Sequence, residues 1–594
     1  MKPFSHLAAG RHRLFSIVAV LAAIVLLIPT VVLAAKPPAP PPVNIQILNV
    51  SDWHGNNDPV ANIGGSWNIS DRWQADRTAN PNTLTLTAGD DFGASPALSS
   101  FFHEEPAVLG QRMMGIQVGA LGNHNFDRGL AHLQQMIDLA GAPSSLTTPG
   151  QPYKYLSANL KNLDGNLSGV EPLAYFNIAG AKIAVIGITN EEAPSVVLPG
   201  AFGSITVSDG VAAANKFARI ARQAKSDAVV VITHKGVRGF TAGQPYGELV
   251  DFANALDSGL IDVVVGDHTD VQYSGTINNI LVHENRSFGV SYAKTNLWIQ
   301  PGQPGRGGSV LSKSVEFVSP GPSGALSSNN TSCGSLAFCD QAIVDMLVPY
   351  RQQLAALLDG VVGTTTQPYD RGGNIERRQE VPLGDLVADG MRWKYGTDLA
   401  LMNSGGIRSQ LPACSYQPTN HALNRANWNA AHTATTTCAG YGSGTPYDIV
   451  LGDIFTVLPF GNIVTTRSVT GAQLWAALEN GVSAINSLSG LGTDGRFPQI
   501  SGFKFTFHYA NPAGSRVTSV ALSNGTPIPN SSSVTYSMAL PNFVNLGGDG
   551  YTVFNDGTGT TQDLDAVVMK EYMLANGPAF DPTTNPLDRI TKLP

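Results

Sequence analysis

The sequence has few charged residues for its length. Only 13% of the 594 residues are Asp, Glu, Lys or Arg, whereas 63 are Gly and 38 are Pro. The hydrophobic fraction of 43% still suits packed domains, and a surface of Ser, Thr, Asn and Gly is typical of many exported proteins. The net charge is −8, so the chain lacks the excess of Lys and Arg that binding to nucleic acid requires. We therefore expect no nucleic-acid partner.

Cysteine is scarce, and no C-x-x-C pair occurs. The four cysteines are Cys333, Cys339, Cys414 and Cys438. Without such a pair, a cysteine metal site is disfavoured. In an oxidising compartment, pairing in sequential order gives two disulfides that each close one loop. Three connectivities are possible for four cysteines, and the sequence does not choose among them.

One long apolar run lies near the N-terminus, from Phe15 to Leu33. Basic residues precede it and two alanines follow it, which indicates a secretory signal peptide at residues 1–35 and a Pro-rich spacer at residues 36–42. The protein is then exported, that is secreted, periplasmic or at the cell surface. The alternative is an uncleaved anchor, because the run is about long enough to span a bilayer. Only the anchor would give the protein a stable membrane partner.

After residue 42, short apolar strands alternate with helical stretches, which predicts an α/β fold. No repeat of fixed period occurs, so a solenoid or propeller is disfavoured. Helical spacing of apolar residues covers Val108 to Met114, Gly129 to Leu139 and Gly210 to Ala224. The predicted strands are Val43 to Val50, Thr83 to Thr87, Lys182 to Ile188, Ala228 to Ile232 and Ile261 to Val265.

A segment rich in Gly, Pro, Ser and Asn begins at Ser319 and marks the end of a first domain, at residues 43–320. Residues 321–360 form a linker with a connecting helix, because Asp340 to Leu358 places its apolar residues on one face. The α/β pattern then restarts in a second domain at residues 361–594. A helix is predicted there from Pro382 to Tyr395, with strands near Leu399, Ile449, Phe503 and Val534.

Clusters of Asp, His and Asn follow several of the strands in the first domain. A pair of divalent metal ions needs a bridging carboxylate, with nitrogen and oxygen ligands around it. Asp90 is the natural bridge, because it follows a strand and Gly89 permits a tight turn. Asp52 and His54 could bind the first ion, and Asp270 could complete its ligands. The expected ligands of the second ion are Asn123, His234 and His268.

Each cluster has an ordinary explanation when it is taken alone. An Asp-x-His sequence arises often by chance, and Asn123 could stabilise a turn. His234 and His268 could be histidines with satisfied hydrogen bonds at strand ends. Together, in this order and each near a strand end, the clusters indicate a dinuclear phosphoesterase.

Three further motifs lie in the second domain: Asn403 to Arg408, Leu458 to Asn462 and Phe543 to Tyr551. With the clusters above, they make residues 43–560 resemble the 5′-nucleotidase family of secreted calcineurin-like metallophosphoesterases. The resemblance implies a four-layer α/β-sandwich metallophosphoesterase domain, a connecting helix and a C-terminal α+β domain that binds the substrate. It also implies two divalent metal ions, which could be Zn, Mn, Mg, Ca or Co.

The resemblance also implies roles for individual residues. His124 would face the scissile phosphate, and Asp127 would accept a hydrogen bond from it, although Asp127 could instead cap the helix that follows. Arg377 and Arg408 would bind phosphate oxygens, with Arg378 as a rival of Arg377, and Arg371 and Arg378 could equally belong to a solvated basic loop. The residues expected to contact the nucleoside are Asn403, Phe460, Asn462, Phe543 and Asp549.

For the nucleoside contacts, ordinary alternatives remain. Phe460 and Phe543 would stack on a base but could belong to the core, and Asn462 and Asp549 could stabilise turns. One departure from the family concerns Asp270, which stands where the family commonly has His or Gln. A carboxylate there favours Mn²⁺, Mg²⁺ or Ca²⁺ somewhat.

We therefore expect an exported phosphohydrolase that converts nucleoside 5′-phosphates to nucleoside and phosphate. Two enzymatic alternatives use the same metal pair: a 2′,3′-cyclic-nucleotide phosphodiesterase with 3′-nucleotidase activity, and a nucleotide-sugar pyrophosphatase. A third alternative is a non-catalytic nucleotide-binding surface protein. The segment from Leu411 to Tyr447 is a long insertion that could alter access of the substrate.

Overall fold

Two β-sheets form the centre of the N-terminal part of the chain. The computed structural model describes residues 40–594 apart from 61–62, 304, 325, 328–329, 372, 417, 421, 426–444, 493, 578 and 585. The predicted signal peptide and most of the predicted spacer lie outside these residues, as does Cys438. The predicted pairing of Cys414 with Cys438 therefore stays a prediction.

The first sheet has seven strands. Val43–Asn49 pairs antiparallel with Tyr292–Gln300 and parallel with Thr83–Thr87. From Val43–Asn49 onward the neighbouring strands run parallel, so their carboxyl ends lie at one edge. In spatial order the strands are Ser309–Val318, Tyr292–Gln300, Val43–Asn49, Thr83–Thr87, Val118–Ala120, Lys154–Leu156 and Val170–Glu171.

The second sheet has six strands, of which the four in its middle are parallel. An antiparallel strand closes it at each side. Runs such as Ala228–Thr233 are apolar at almost every position because both faces of the sheet are covered. In spatial order the strands are Tyr273–Ile277, Ile280–Glu284, Val263–Gly266, Ala228–Thr233, Ala181–Ile188 and Leu173–Ile178.

The two sheets pack face to face, with helices on both outer faces. Buried side chains such as Ile47, Leu84, Ile183 and Val230 fill the space between the sheets. The helices outside the first sheet are Ser66–Ala79, Ala97–Ser100, Glu105–Met114 and Gly129–Gly141. Those outside the second are Gly210–Gln223 and Glu248–Ala255. The predicted four-layer α/β sandwich is therefore confirmed.

A helix from Gln341–Leu358 follows the sandwich, close to the predicted connecting helix. Asp340 caps it, because the Asp340 side chain accepts a hydrogen bond from the backbone N–H of Ala342. Inside the helix, Arg351 forms a buried two-point ion pair with Asp58, at 2.6 and 2.8 Å. Since Asp58 lies four residues beyond His54, this pair fixes the helix to the region of the predicted ligands.

The C-terminal part has three sheets. The first, in spatial order, contains Pro498–Ser501, Leu399–Asn403, Thr535–Pro541, Ile463–Thr470 and Thr560–Leu564. The second contains Tyr447–Val450, Val361–Thr365 and Ala579–Phe580, and the third contains Val517–Leu522, Phe503–His508 and Ile590–Leu593. The helices are Pro382–Tyr395, Leu451–Val457, Gly471–Val482, Asn542–Asn545 and Asp565–Ala575. Sheets and helices pack together here as the α+β prediction requires.

Two other sequence predictions concern cysteines and membrane helices. Cys333 and Cys339 form a disulfide, just before the connecting helix. Among the described residues, no helix combines the length and apolar character needed to cross a bilayer.

Candidate metal centre and substrate cavity

A cavity of about 210 Å³ lies between the carboxyl edges of the two sandwich sheets and the C-terminal part. Residues from both parts of the chain line it. Because parallel strands end at the same edge, the polar clusters that follow them meet there. All sixteen site residues predicted from the sequence except His234 line this cavity, and His234 lies buried beside it.

The first group of candidate ligands comprises Asp52, His54 and Asp90, whose ligand atoms lie within 4.8 Å of one another. His54 is oriented by the backbone carbonyl of Gly93, 2.8 Å from Nδ1, so that Nε2 lies 3.1 Å from Asp52 Oδ1. Asp52, His54 and Asp90 all have positive φ, between 45° and 52°. Such a backbone is uncommon for residues other than glycine and often marks a functional site.

The second group comprises Asp90, His234 and His268. His234 Nε2 lies 2.8 Å from Asp90 Oδ2 and 3.1 Å from His268 Nδ1. Asp90 belongs to both groups, which is the position expected of a bridging carboxylate. Burial alone would raise the pKa of Asp90, but the neighbouring His234 and His124 lower it below its usual value.

The donor atoms at this place suit divalent metal ions. The side-chain oxygen of Asn123 is buried and accepts no hydrogen bond within the described part of the chain. Asp90 Oδ2 is buried as well, with His234 Nε2 at 2.8 Å. A buried polar atom without a partner is costly, and a cation bound by Asn123 and Asp90 would satisfy the Asn123 oxygen. Together with the imidazole nitrogens and Asp52, they form a mixed nitrogen and oxygen donor set.

Glu284 holds the loops that carry the two histidines. Its Oε2 accepts a hydrogen bond from the backbone N–H of Val237 at 2.7 Å, three residues after His234. Its Oε1 accepts one from the hydroxyl of Thr269 at 2.7 Å, next to His268. Burial raises the pKa of Glu284 to about 8.

His124 and Asp127 lie together at the cavity wall. His124 Nδ1 is 3.0 Å from both carboxylate oxygens of Asp127, as the sequence predicted. The helix that follows begins at Gly129 with Arg128 at its N-cap, so Asp127 does not cap it. Burial lowers the pKa of His124, against the opposing effect of Asp127. The pairing leaves Nε2 of His124 for the cavity.

Asp270 was predicted to complete the first metal site, but its carboxylate has other partners. Its Oδ1 accepts hydrogen bonds from Arg286 Nε at 2.7 Å and from the backbone N–H of Ser287 at 2.9 Å. Its Oδ2 accepts one from Arg286 Nη2 at 3.0 Å. Asp270 lies outside both ligand groups because its carboxylate is turned to this arginine. Here Asp270 is a partner of Arg286.

Four arginines of the C-terminal part line the cavity, namely Arg371, Arg377, Arg408 and Arg496. Arg408 Nη2 lies 3.2 Å from His54 Nε2, and burial lowers the pKa of Arg408 to about 9, with Arg377 contributing. Arg377 also lines the cavity, whereas Arg378 does not. Arg371 is bound to Glu376, at 3.0 Å from Nε to Oε1. The geometry therefore favours Arg377 over Arg378 and gives Arg371 a supporting position.

The two predicted aromatic rings both reach the cavity. Phe460 stacks on His124, with ring centroids 5.5 Å apart and an angle of 27° between the rings. Phe543 is partly buried against the C-terminal core. A Cβ on Gly548 would lie 2.4 Å from the ring of Phe543, so any larger residue at this position would require the ring to shift.

The predicted polar contacts for the nucleoside also lie at the cavity. Asn403 Nδ2 donates to Asp549 Oδ2 at 2.8 Å. Burial raises the pKa of Asp549 to about 7, and Asp494 adds to the shift. Asn462 forms a hydrogen bond with Asp565. Burial raises the pKa of Asp565 to about 7. Asn403 and Asp549 thus form one unit, while Asn462 is engaged with Asp565.

Several residues of the cavity were missed by the sequence reasoning. Glu192 Oε1 accepts a hydrogen bond from His268 Nε2 at 3.1 Å, which orients His268. Burial would raise the pKa of Glu192, but His268 lowers it to about 2. Arg238, Asp494 and Phe288 also line the cavity. Only the position of Glu192 after the strand Ala181–Ile188 could have indicated it.

The sequence and the fold are both similar to those of known proteins. Residues 361–556 match the family model of the 5′-nucleotidase C-terminal domain. Over 561 residues the chain is 24% identical to a 5′-nucleotidase of Vibrio cholerae, covering 90% of this chain and 91% of that protein. Over 522 residues it is 25% identical to the endonuclease YhcR of Bacillus subtilis, covering 84% of this chain and 37% of that protein.

The chain spans 32% to 64% of the length of three of the curated relatives that it matches. Its fold is similar to the crystal structure of a 5′-nucleotidase precursor from Thermus thermophilus, with a TM-score of 0.71 and 24% identity. That comparison covers 93% of this chain and 99% of the other. Residues 361–556 therefore match the 5′-nucleotidase C-terminal domain, and the chain as a whole is similar to 5′-nucleotidases along nearly its full length.

Proposed function

We propose that the protein is a metal-dependent phosphohydrolase that converts nucleoside 5′-phosphates to nucleoside and phosphate. The observation that carries this proposal is the contact between Arg408 Nη2 and His54 Nε2, which lie 3.2 Å apart beside both ligand groups. A guanidinium that faces an imidazole needs an anion as its partner. A phosphate group suits this position, because Arg408 and Arg377 present planar forks of donors to its oxygens.

In this proposal, Asp52, His54 and Asp90 hold one divalent ion, and Asp90, Asn123, His234 and His268 hold the other. Such ions supply polarisation of phosphoryl oxygens and activation of a water molecule when they are bound. The second ion is proposed because Asp90 is shared between two ligand groups. Mn²⁺ is the first ion to test, since the donor set mixes nitrogen and oxygen.

His124 has a separate part in the reaction. Asp127 accepts the hydrogen of Nδ1, so that the protonated imidazole can donate from Nε2 to the departing ester oxygen. Asp127 also stabilises the positive charge that His124 carries when it is protonated. The stacked ring of Phe460 keeps water from one face of His124.

The nucleoside would lie against the C-terminal part. Phe460 and Phe543 offer two aromatic surfaces for the base, and stacking of this kind tolerates any base. Asp549 and Asn403 would receive the ribose hydroxyl groups, since a carboxylate accepts and an amide can both accept and donate. Asn462 is assigned to the edge of the base.

The test is a panel of phosphate esters assayed for release of phosphate in the presence of Mn²⁺, Mg²⁺, Zn²⁺, Ca²⁺ or Co²⁺. Adenosine 5′-phosphate should be hydrolysed faster than adenosine 3′-phosphate, a 2′,3′-cyclic phosphate or a nucleotide sugar. Faster turnover of one of the last three would replace the proposed substrate with that class. A protein that binds nucleotide but hydrolyses none of these esters would contradict the enzymatic proposal.

We also propose export, with removal of residues 1–35, and a division into domains at 43–320, 321–360 and 361–594. The N-terminal sequence and mass of the protein purified from its native source test the first of these. An intact Met1 would contradict removal of the signal peptide. Limited proteolysis with mass analysis of the fragments tests the division.

A further inference from the structure

A line of alternating charges runs from the second ligand group to the C-terminal part. His268 Nε2 donates to Glu192 Oε1 at 3.1 Å. Arg238 Nη2 donates to Glu192 Oε2 at 3.2 Å, and Arg238 Nη1 lies 3.5 Å from Asp494 Oδ2. Asp494 Oδ1 in turn accepts from Arg496 Nε at 2.8 Å. The ion pair between Arg238 and Asp494 is where this line crosses from the sandwich to the C-terminal part.

The line is partly withdrawn from solvent. The side chain of Arg238 is 30% exposed, that of Glu192 is 26% exposed and that of Asp494 is 17% exposed. Arg238 is also held by Glu248 Oε1 at 2.8 Å, so three carboxylates surround one guanidinium. Ion pairs of this kind are screened less by salt than pairs on the open surface.

Asp494 lies in a turn that touches the segments carrying the two phosphate-binding arginines. The backbone N–H of Asp494 donates to the carbonyl of Arg377 at 3.4 Å. The carbonyl of the next residue, Gly495, accepts from the N–H of Gly405 at 2.8 Å, three residues before Arg408. A displacement of this turn would therefore move the backbone at Arg377 and before Arg408.

We propose that Arg238 is a positioning residue that couples the ligand His268 to the phosphate-binding Arg377 and Arg408. Through Glu192 it is tied to His268, and through Asp494 it is tied to the turn that supports the arginines. A phosphate group must meet the metal ions and the arginines at the same time, so the relative position of the two sets decides how tightly it is held. This inference rests on the proposed function.

Coupling can be measured without turnover, as the effect of Mn²⁺ on the affinity for inorganic phosphate. Titration calorimetry gives the dissociation constant of phosphate for the full chain with and without Mn²⁺. In the unmodified protein we expect Mn²⁺ to tighten binding of phosphate by about tenfold or more. In Arg238→Gln and in Asp494→Asn, this tightening should fall below about threefold.

The double variant should show no further loss, because both substitutions break the same ion pair. Arg219→Gln is the matched control, since Arg219 pairs with Asp257 at an exposed place on the same domain. It should keep the full effect of Mn²⁺. Circular dichroism and the unfolding temperature verify that each variant is folded, and Arg238→Lys should recover part of the coupling because it restores the charge.

Two results would overturn the inference in different ways. If Mn²⁺ tightens phosphate binding in both Arg238→Gln and Asp494→Asn as strongly as in the unmodified protein, the positioning role is wrong and the proposed function stands. If none of Mn²⁺, Mg²⁺, Zn²⁺, Ca²⁺ and Co²⁺ tightens phosphate binding in the unmodified protein itself, the proposed function fails and the inference fails with it.

Discussion

Arg408 Nη2 lies 3.2 Å from Nε2 of His54, although 354 positions separate the two residues in the sequence. His54 belongs to the first ligand group, and Arg408 comes from the part of the chain that matches the 5′-nucleotidase C-terminal domain. Neither half of the chain contains the whole cavity.

Replacement of Arg408 by Gln should impair hydrolysis of every phosphate ester. A hydrogen bond to a charged group contributes about 1.5 to 3 kcal/mol, so kcat/KM should fall about 10- to 150-fold. Steady-state kinetics with adenosine 5′-phosphate and with an aryl phosphate measure the loss. Arg378→Gln is the matched control, because Arg378 lies outside the cavity lining, and it should retain normal kinetics. An Arg408→Gln protein with unchanged kcat/KM would remove the arginine from the proposed mechanism.

Replacement of Asp90 by Asn should nearly abolish turnover while the fold persists. Asp90 is shared by both ligand groups, and in the proposed mechanism a metal pair would supply several kcal/mol of transition-state stabilisation, which corresponds to a loss of about 10³-fold or more. Metal analysis after dialysis should find fewer bound ions than in the unmodified protein. Asp257→Asn, at an exposed ion pair, serves as the control. Normal activity with a full metal content would refute the bridging role.

Removal of the aromatic rings should affect the kinetics of nucleotides and of simple phosphate esters differently. Stacking contributes about 1 to 3 kcal/mol for each ring, so Phe543→Ala should raise KM for adenosine 5′-phosphate about 5- to 150-fold. An aryl phosphate too small to reach Phe543 should show little change in KM. Phe460→Ala should in addition lower kcat for both substrates, because Phe460 stacks on His124. Equal effects of Phe543→Ala on both substrates would show that the ring is structural.

His283 should make the protein less stable in acid. It is fully buried, its Nε2 lies 2.9 Å from the hydroxyl of Thr295, and burial lowers its pKa to about 3. An unfolded histidine has a pKa near 6.5, so between these values the unfolded chain binds the additional proton. The contribution of His283 to stability is therefore present above pH 6.5 and is lost as the pH falls towards 3.

The corresponding variant is His283→Gln, which keeps a partner for Thr295 but does not titrate. Between pH 6 and pH 4, the free energy of unfolding of the unmodified protein should decrease by up to about 1.4 kcal/mol per pH unit more than that of the variant. Chemical denaturation at several pH values measures both slopes. Thr295→Ser retains the hydroxyl group and should keep the slope of the unmodified protein. Parallel slopes for His283→Gln and the unmodified protein would contradict the assignment.

The strand ends could be predicted from the sequence because both sheets are covered on both faces. Buried parallel strands appear as continuous apolar runs, such as Ala228–Thr233, and the residue after each run is then placed at one edge of the sheet. This reasoning predicted that Asp52, Asp90 and His234 lie close together. The C-terminal residues, among them Arg408 and Phe460, came from the family resemblance, since no pattern of burial indicates them.

Other contacts could not be read from spacing along the chain. The position of Asp270, two residues after His268, suggested a ligand, but its partner Arg286 lies 16 residues further on, beyond two further strands. Arg238 meets Asp494 across 256 positions and belongs to no recognised motif. Such pairs depend on how two loops approach each other in three dimensions. The periodicity of apolar residues along the sequence does not predict this.

Glu284 has a consequence for how the proposed metal centre would take up an ion. By holding Val237 and Thr269, this one side chain keeps the His234 and His268 loops in their binding conformation using protein atoms alone. The histidines are therefore preorganised, and capture of an ion does not carry the entropic penalty of ordering two loops. If the proposed centre binds a divalent ion, selection among such ions at this position would then be governed by the dehydration of each ion and the fit of its radius, rather than by the flexibility of the chain.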